Sequence, residues 1–88
     1  MTKTQPLDGI RVIDFSRVLA GPLVGQILGD LGADVIKIER PGAGDMSRAN
    51  APLFKTGSVY FNSVNGGKHS LTLDLSKQDG RAIAHRLI

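Results

Sequence analysis

The chain has 88 residues, of which 41% are hydrophobic, and it contains no cysteine, so it fits one small folded domain and excludes disulfides and zinc–thiolate sites. Its net charge is +3, from eleven basic and eight acidic residues, and the basic residues are scattered without a basic run, which argues against a nucleic acid partner and favours a small anionic ligand. No segment resembles a membrane span or a secretory signal, so we expect a cytoplasmic protein that does not bind membranes.

The first half of the sequence predicts a strand–helix–strand unit. Residues 10–15 form a nearly continuous β-branched and aromatic run, typical of a buried strand in a parallel sheet. A helix is predicted from Pro22 to Leu31, where apolar residues recur at helical spacing. After the short turn at residues 32–33, residues 34–39 predict a second strand. Short connections of this kind predict parallel strands joined by a right-handed crossover.

Three glycines recur at intervals of four in and just before this predicted helix. We call Gly21, Gly25 and Gly29 the glycine stripe. Because each interior glycine costs about 1 kcal/mol relative to alanine, the stripe predicts that another part of the chain approaches the helix closely. We favour packing of the helix on the sheet over direct contact with a ligand.

The second half begins with an irregular segment. Residues 40–65 are interrupted by glycine, proline and asparagine, and long segments of this kind are usually functional or mobile. Within them, residues 58–64 fit either a short helix or a short strand. An Asn-Gly-Gly turn at residues 65–67 precedes residues 71–75, whose alternation predicts a half-buried strand near a sheet edge.

The end of the chain predicts a last helix in an incomplete domain. Ser76 and Asp79 resemble a capping box, and the helix is predicted to begin at Lys77. It reaches Ile88 without a stop signal, and three strands leave the sheet edges unpaired. We therefore predict that residues 1–88 are the N-terminal portion of a longer α/β domain, the βαβ part of a Rossmann-like, mainly parallel open sheet.

A ligand site is expected beyond the carboxyl ends of the parallel strands. Residues 16–21 follow the first strand, and Arg40 follows the second. These two loops should be neighbours and should bring Arg17, Arg40 and the N-terminus of the first helix to one rim. Two guanidinium groups and exposed backbone N–H groups would suit a phosphate.

Other kinds of site have weaker support in the sequence. Glu39 stands where a dinucleotide oxidoreductase carries an acidic residue, but residues 19–25 lack the G-x-G-x-x-G pattern. His69 and His85 lie far apart and are expected at the surface. No metal site is predicted, because turn, cap and surface roles suit the aspartates best: Asp14, Asp34, Asp45 and Asp74.

Three segments, in a specific order and spacing, carry a family resemblance. They are residues 7–22 (LDGIRVIDFSRVLAGP), residues 31–41 (LGADVIKIERP) continued by Gly44, Asp45 and Arg48, and Asn65 and Lys68 followed by residues 70–75 (SLTLDL). Together they resemble the class III coenzyme A (CoA) transferases, the group that contains formyl-CoA transferase, carnitine CoA-transferases and α-methylacyl-CoA racemase.

The resemblance implies a Rossmann-like first domain and an interlocked homodimer of the full-length protein. It implies a CoA thioester and a carboxylate as substrates, without a metal or a prosthetic group. An aspartate attacks the acyl-CoA in the transferases, whereas a histidine and an aspartate move a proton in the racemases. Those residues lie beyond Ile88 in the family, so no catalytic residue is assigned and the 88-residue chain alone is expected to be inactive.

The resemblance also implies CoA-binding positions. Arg40 matches the arginine that meets the nucleotide phosphates, and Leu19 and Ala20 match a loop whose backbone lies against CoA. Arg17 is a further candidate, whereas His69 stands where many relatives carry arginine and supplies no fixed positive charge. The exit of the third strand matches residues that cradle the adenine end: Leu73, Asp74, Leu75 and Ser76.

Three functions remain open at this stage. The chain is part of an acyl-CoA:carboxylate CoA-transferase, part of a racemase of the same fold, or a truncated non-catalytic chain or interaction module. The tract before Asn65 is long and contains residues 58–62 (SVYFN), as transferases often do, and this favours the transferase.

Overall fold

The computed structural model describes residues 4–54 and 57–88. Their elements, in chain order, are strand β1 (Arg11–Asp14), helix α1 (Ala20–Asp30), strand β2 (Asp34–Glu39), a 3-10 helix (Met46–Ala49), strands β3 (Leu53–Phe54) and β4 (Gly57–Ser58), helix α2 (Val59–Val64), strand β5 (His69–Thr72) and helix α3 (Gln78–Leu87). None of the helices in these two ranges is long and apolar enough to cross a bilayer.

The main sheet has three parallel strands in the order β1–β2–β5. Asp14 at the end of β1 lies opposite Lys37, and Glu39 at the end of β2 lies opposite Thr72. All three strands therefore end at one edge of the sheet. This arrangement confirms the predicted α/β fold with a parallel sheet, while β3 and β4 form a separate antiparallel pair.

The predicted elements of the first half agree with the structure, with small shifts at their ends. Strand β2 covers residues 34–39 as predicted, and β1 is shorter than residues 10–15. Helix α1 starts two residues before Pro22, which lies buried in its first turn. Residues 59–64, which the sequence left undecided, form helix α2 because the Ser58 hydroxyl accepts a hydrogen bond from the Phe61 N–H and caps the helix.

The third strand ends earlier than the alternation of residues 71–75 predicted. Strand β5 stops at Thr72, although the Leu73 N–H still donates to the Glu39 carbonyl at 3.0 Å. The Asp74 carboxylate then accepts a hydrogen bond from the Ser76 N–H at 3.0 Å. This local turn competes with the strand and directs the chain toward α3.

The predicted capping box is wrong. The residue that caps α3 is Lys77, which makes no side-chain capping bond, while the Ser76 hydroxyl donates to Asp74. Asp79 does lie in the first turn of the helix, where a negative charge is favourable. The turn at Asp74 occupies the hydroxyl that the capping box would have used.

The two longer helices cover opposite faces of the sheet. Alternate residues of β2 point to opposite faces, so Val35 faces α1, and Ile38 belongs to the core beside α3. The core on the α3 side contains the buried residues Ile38, Leu73 and Ala84 and the partly buried residues Ile13, Ile36, Leu71 and Leu87.

The glycine stripe lies on the side of α1 that faces the sheet, which confirms the packing interpretation. A Cβ atom at Gly29 would lie 3.4 Å from Val35 Cγ2. At Gly25 it would lie 2.9 Å from Asp14 Oδ2 and 3.2 Å from Lys68 Nζ. Gly25 therefore leaves room for a buried ion pair rather than for an apolar side chain.

The Asp14–Lys68 ion pair corrects the expectation that Asp14 serves a turn, cap or surface role alone. Lys68 Nζ donates to Asp14, to the Pro22 carbonyl and to Asn65, each at 2.8 Å, and the two charged side chains are only 3% and 4% exposed. Burial opposes the ionisation of Asp14, yet hydrogen bonds from Lys68 and Ser16 outweigh it and hold the pKa of Asp14 below its ordinary value.

A second ion pair joins the end of β2 to the 3-10 helix. Arg48 makes two hydrogen bonds to Glu39, at 2.6 and 2.7 Å, and its guanidinium lies 3.9 Å from the centre of the Phe61 ring. Glu39 also accepts hydrogen bonds from the Ser70 hydroxyl and the Asp45 N–H. The bonds from Arg48 outweigh burial and, with these further donors, lower the pKa of Glu39 to about 2.

Gly80 of α3 gives the first prediction, because it has no room for a side chain. A Cβ atom there would overlap the Asp74 carbonyl oxygen and lie 2.7 Å from the carbonyl carbon. We predict that Gly80→Ala lowers the free energy of unfolding by about 2–3 kcal/mol, since backbone must move to relieve the overlap. Gly29→Ala is the matched control, and it should gain up to about 1 kcal/mol from helix propensity. Urea denaturation measures both changes, and equal stability of the two variants would contradict the prediction.

The Glu39–Arg48 pair gives a second prediction, on acid stability. The pKa of Glu39 is about 2 in the folded chain and 4.5 as an ordinary side chain, so the unfolded state binds the proton more readily. The stabilisation is therefore complete above about pH 5 and is lost as the pH falls toward about 2. We predict that Glu39→Gln is less stable than the wild type by about 2 kcal/mol at neutral pH, and that its stability declines less on acidification.

Unfolding measured from neutral to acid pH checks this prediction. The control is Asp34→Asn, because it removes a carboxylate that is 56% exposed and pairs with His69 at 3.6 Å, in an exposed pair of little energetic weight. The control should follow the wild-type acid profile. A Glu39→Gln profile parallel to that of the wild type would show that the pair does not carry the effect.

Candidate functional site

A cleft of about 450 Å³ lies at the carboxyl ends of the parallel strands. Residues 15–17, after β1, form one part of its wall. Residues 37–41 and 44–46 form the part around the end of β2, and residues 73–76, after β5, form the third. All three strands of the sheet thus contribute to one concave surface, at the edge where the sequence predicted a site.

Most of the residues that the sequence analysis singled out meet in this cleft. Leu19 and Ala20 do not line it and lie at the N-terminus of α1, where Leu19 is the cap residue. The other six predicted site residues do line it: Arg17, Arg40, Leu73, Asp74, Leu75 and Ser76.

Arg40 lies at the mouth of the cleft and is held at the base of its guanidinium group. Its Nε donates to the Gly44 carbonyl at 2.8 Å, while the side chain as a whole is exposed. Gly44 has a φ of +70°, and a Cβ there would lie 2.7 Å from Glu39 Oε1. A glycine is therefore needed to bring this loop close enough to orient Arg40.

A buried ion pair lies in the wall of the cleft. Lys37 Nζ is 2.9 Å from Asp45 Oδ2, and both side chains are 1% exposed. Lys37 also donates to the Ser16 carbonyl at 3.0 Å, whereas Asp45 accepts a hydrogen bond from the Val18 N–H at 3.2 Å. The pair therefore joins the loop after β1 to the loop after β2.

Asp45 combines the predicted cap role with a burial that the sequence did not predict. Its carboxylate accepts from the Ser47 N–H at 2.8 Å and caps the 3-10 helix. Burial alone would raise the pKa of Asp45, but the donors Lys37 and Ser47 outweigh it and lower this pKa to about 2. Asp45 is therefore negatively charged at neutral pH, as the partner of Lys37. The sequence analysis missed Lys37, although a lysine inside the apolar run of residues 35–38 was a visible signal.

Val18 has an unusual backbone conformation in the loop between β1 and α1. Its φ is +75°, in the left-handed region that β-branched residues rarely adopt. Such a conformation costs about 1–3 kcal/mol and persists only where its surroundings impose it. The Val18 N–H is the group that donates to Asp45, so the buried ion pair restrains the strained residue directly.

The third wall of the cleft carries a negative charge. The Asp74 carboxylate accepts hydrogen bonds from the Ser76 hydroxyl and N–H, and these lower the pKa of Asp74 below its ordinary value. An ionised carboxylate repels phosphate, so this side of the cleft suits a neutral ring with N–H donors, whereas the side with Arg17 and Arg40 suits an anion. Within residues 4–54 and 57–88, no group of three metal-ligating side chains comes together.

Comparison with known proteins identifies the family of this fold and cleft. The family model described as CoA-transferase family III matches residues 7–88. A succinate–glutarate CoA-transferase of Agrobacterium fabrum is 47% identical over 94% of this chain and 22% of that protein. Human succinyl-CoA:glutarate CoA-transferase is 47% identical over 99% of this chain and 20% of that protein. A formyl-CoA:oxalate CoA-transferase of Rhodopseudomonas palustris (strain TIE-1) is 45% identical, covering 97% and 20%.

Solved structures have the same fold. A CAIB/BAIF family protein from Brucella suis superposes with a TM-score of 0.88 at 44% identity, covering 97% of this chain and 24% of that chain. A hypothetical protein from Mycobacterium tuberculosis superposes with a TM-score of 0.85 at 47% identity, covering 94% and 22%. The chain spans about a fifth of the length of the curated relatives. The family match over residues 7–88 confirms the resemblance of the three segments, and the chain belongs to CoA-transferase family III.

Proposed function

We propose that this chain supplies the part of the CoA site that holds the nucleotide end of CoA in an acyl-CoA:carboxylate CoA-transferase. The observation that carries the proposal is the convergence of Arg17, Arg40 and residues 73–76 on one cleft at the carboxyl edge of a parallel sheet. Open α/β sheets bind nucleotides at this edge. The names of the relatives support the substrate class, a CoA thioester together with a carboxylate. CoA would act as a substrate, and no prosthetic group is proposed.

The distribution of charge in the cleft supports one orientation of bound CoA. The phosphates would lie on the side of Arg17 and Arg40, because guanidinium groups form charge-assisted hydrogen bonds with phosphate oxygens. The adenine ring would lie toward Leu73 and Leu75, where the Asp74 carboxylate can accept a hydrogen bond from the exocyclic amine of the ring. The volume of about 450 Å³ is within the range of small-molecule sites.

The transferase is favoured over the racemase by the comparisons. The curated relatives quoted above are named as succinate–glutarate, succinyl-CoA:glutarate and formyl-CoA:oxalate CoA-transferases. We propose that the catalytic aspartate of the family resemblance lies outside residues 1–88, so that this part of the protein binds CoA without carrying out the reaction. The homodimer and the cytoplasmic location are proposals on the same resemblance.

Replacement of Arg40 tests the proposed function. We predict that Arg40→Ala weakens CoA binding at least about tenfold, because one charge-assisted contact with phosphate contributes roughly 1.5–3 kcal/mol. Calorimetric titration of the protein expressed from its complete coding sequence measures the dissociation constant. Arg11→Ala is the matched control, since Arg11 is an exposed arginine at the amino end of β1, away from the cleft.

The Arg11→Ala control should bind CoA with the wild-type dissociation constant. Pantetheine, which lacks the nucleotide, should bind the wild type and Arg40→Ala equally. A folded Arg40→Ala protein that binds CoA as tightly as the wild type would refute the assignment of the phosphate to this residue.

A further inference from the structure

One buried cluster, formed by the side chains of Lys37 and Asp45, joins the loop after β1 to the loop after β2. Lys37 Nζ lies 2.9 Å from Asp45 Oδ2 in the loop after β2 and 3.0 Å from the Ser16 carbonyl in the loop after β1. The Asp45 carboxylate also accepts a hydrogen bond from the Val18 N–H in that first loop. Movement of either loop would break these contacts.

The cluster restrains the only residue of the described ranges, apart from glycines, that has a positive φ. Val18 has a φ of +75° and no steric reason of its own to adopt it. A loop with this strain relaxes when its restraint is removed. The Asp45 carboxylate, held in turn by Lys37, is the restraint that the hydrogen bonds identify.

We propose that Lys37 and Asp45 are positioning residues for CoA, which hold the loop between β1 and α1 in its binding conformation through the Val18 N–H. This inference rests on the proposed function, since it describes how the same cleft is kept ready for its ligand. Both residues belong to the wall of the cleft, but their side chains are only 1% exposed, so neither side chain needs to touch CoA in this role.

Fold stability alone does not account for this arrangement. A buried ion pair is weak evidence for stability, and apolar residues of similar volume often replace one without loss. Lys68 and Asp14 form a comparably buried pair at the same edge of the sheet, at 2.8 Å. Lys68 bonds to Pro22 and Asn65, and Asp14 bonds to Ser16 in the loop after β1, but within the described residues no hydrogen bond joins this pair to Val18 or to the loop after β2. A comparison of the two lysines therefore separates the restraint of Val18 from the general effect of a buried ion pair at this edge.

The test compares Lys37→Met with Lys68→Met in the protein expressed from its complete coding sequence. Calorimetric titration with CoA is carried out below the melting temperatures of all variants. Both substitutions remove one partner of a buried pair, so both should lower the melting temperature. Only Lys37→Met should weaken CoA binding, by about tenfold, because the relaxed loop leaves a smaller fraction of molecules in the binding conformation.

A rescue experiment distinguishes positioning from general damage. Asparagine tolerates a positive φ far better than valine, so Val18→Asn should lower the cost of the binding conformation. Val18→Asn in the Lys37→Met background should therefore recover most of the lost CoA affinity without recovering the melting temperature. The same substitution should change CoA affinity little in the wild type, where the loop is already held.

The outcomes separate this inference from the proposed function. Failure of the wild type to bind CoA would overturn both. Wild-type binding with equal dissociation constants for folded Lys37→Met and Lys68→Met, or no recovery by Val18→Asn, would overturn the positioning role alone. If Lys37→Met does not fold, the double variant Lys37→Met/Asp45→Leu leaves no buried charge at these two positions and removes the acceptor of the Val18 N–H, so it should show the same loss of affinity. Wild-type affinity in that variant would also overturn the positioning role.

Discussion

The ion pair between Lys37 and Asp45 is the contact on which the shape of the cleft depends. Three loops leave the sheet at one edge, where the ladder hydrogen bonds of their strands have ended, and buried backbone groups there need other partners. Lys37 supplies a donor for the Ser16 carbonyl, and Asp45 supplies an acceptor for the Val18 N–H. The cost of burying two charges is offset because each charge also satisfies the backbone of a neighbouring loop.

Two further ion pairs lie at this edge of the sheet, and in each of them one negative charge is balanced by one positive charge. One joins the end of β1 to a residue 54 positions along the chain, and the other joins the end of β2 to the 3-10 helix nine positions on. Each acid is ionised at neutral pH because its donors outweigh burial. The pairs are Asp14 with Lys68 and Glu39 with Arg48. Arg17 and Arg40 add positive charge at the mouth of the cleft, whereas the charges of the ion pairs cancel. Such a distribution favours an anion at the mouth rather than deep in the protein.

The sequence predicted the elements whose residues form a local pattern in the chain. Apolar runs and short joints located β1, α1 and β2. The rule for carboxyl ends predicted that Arg17 and Arg40 share one rim, whereas the family resemblance implied residues 73–76, and all six residues line the cleft. It did not predict the buried pairs, because Asp45 lies 27 residues from Val18, and Lys68 lies 54 residues from Asp14. Contacts over such distances leave no periodic pattern, so the sequence analysis assigned the aspartates to turn, cap and surface roles.

The glycine stripe also changes how a nucleotide is expected to bind. In a dinucleotide fold, glycines at the helix start let the pyrophosphate approach the backbone. Here a Cβ at Gly21 would overlap the Ser16 side chain, and Gly25 makes room for Lys68 and Asp14, so the space is already filled by the protein. The start of α1 also does not line the cleft. We therefore expect arginine side chains, rather than the helix N-terminus, to meet the phosphates, and the missing G-x-G-x-x-G pattern to reflect that difference.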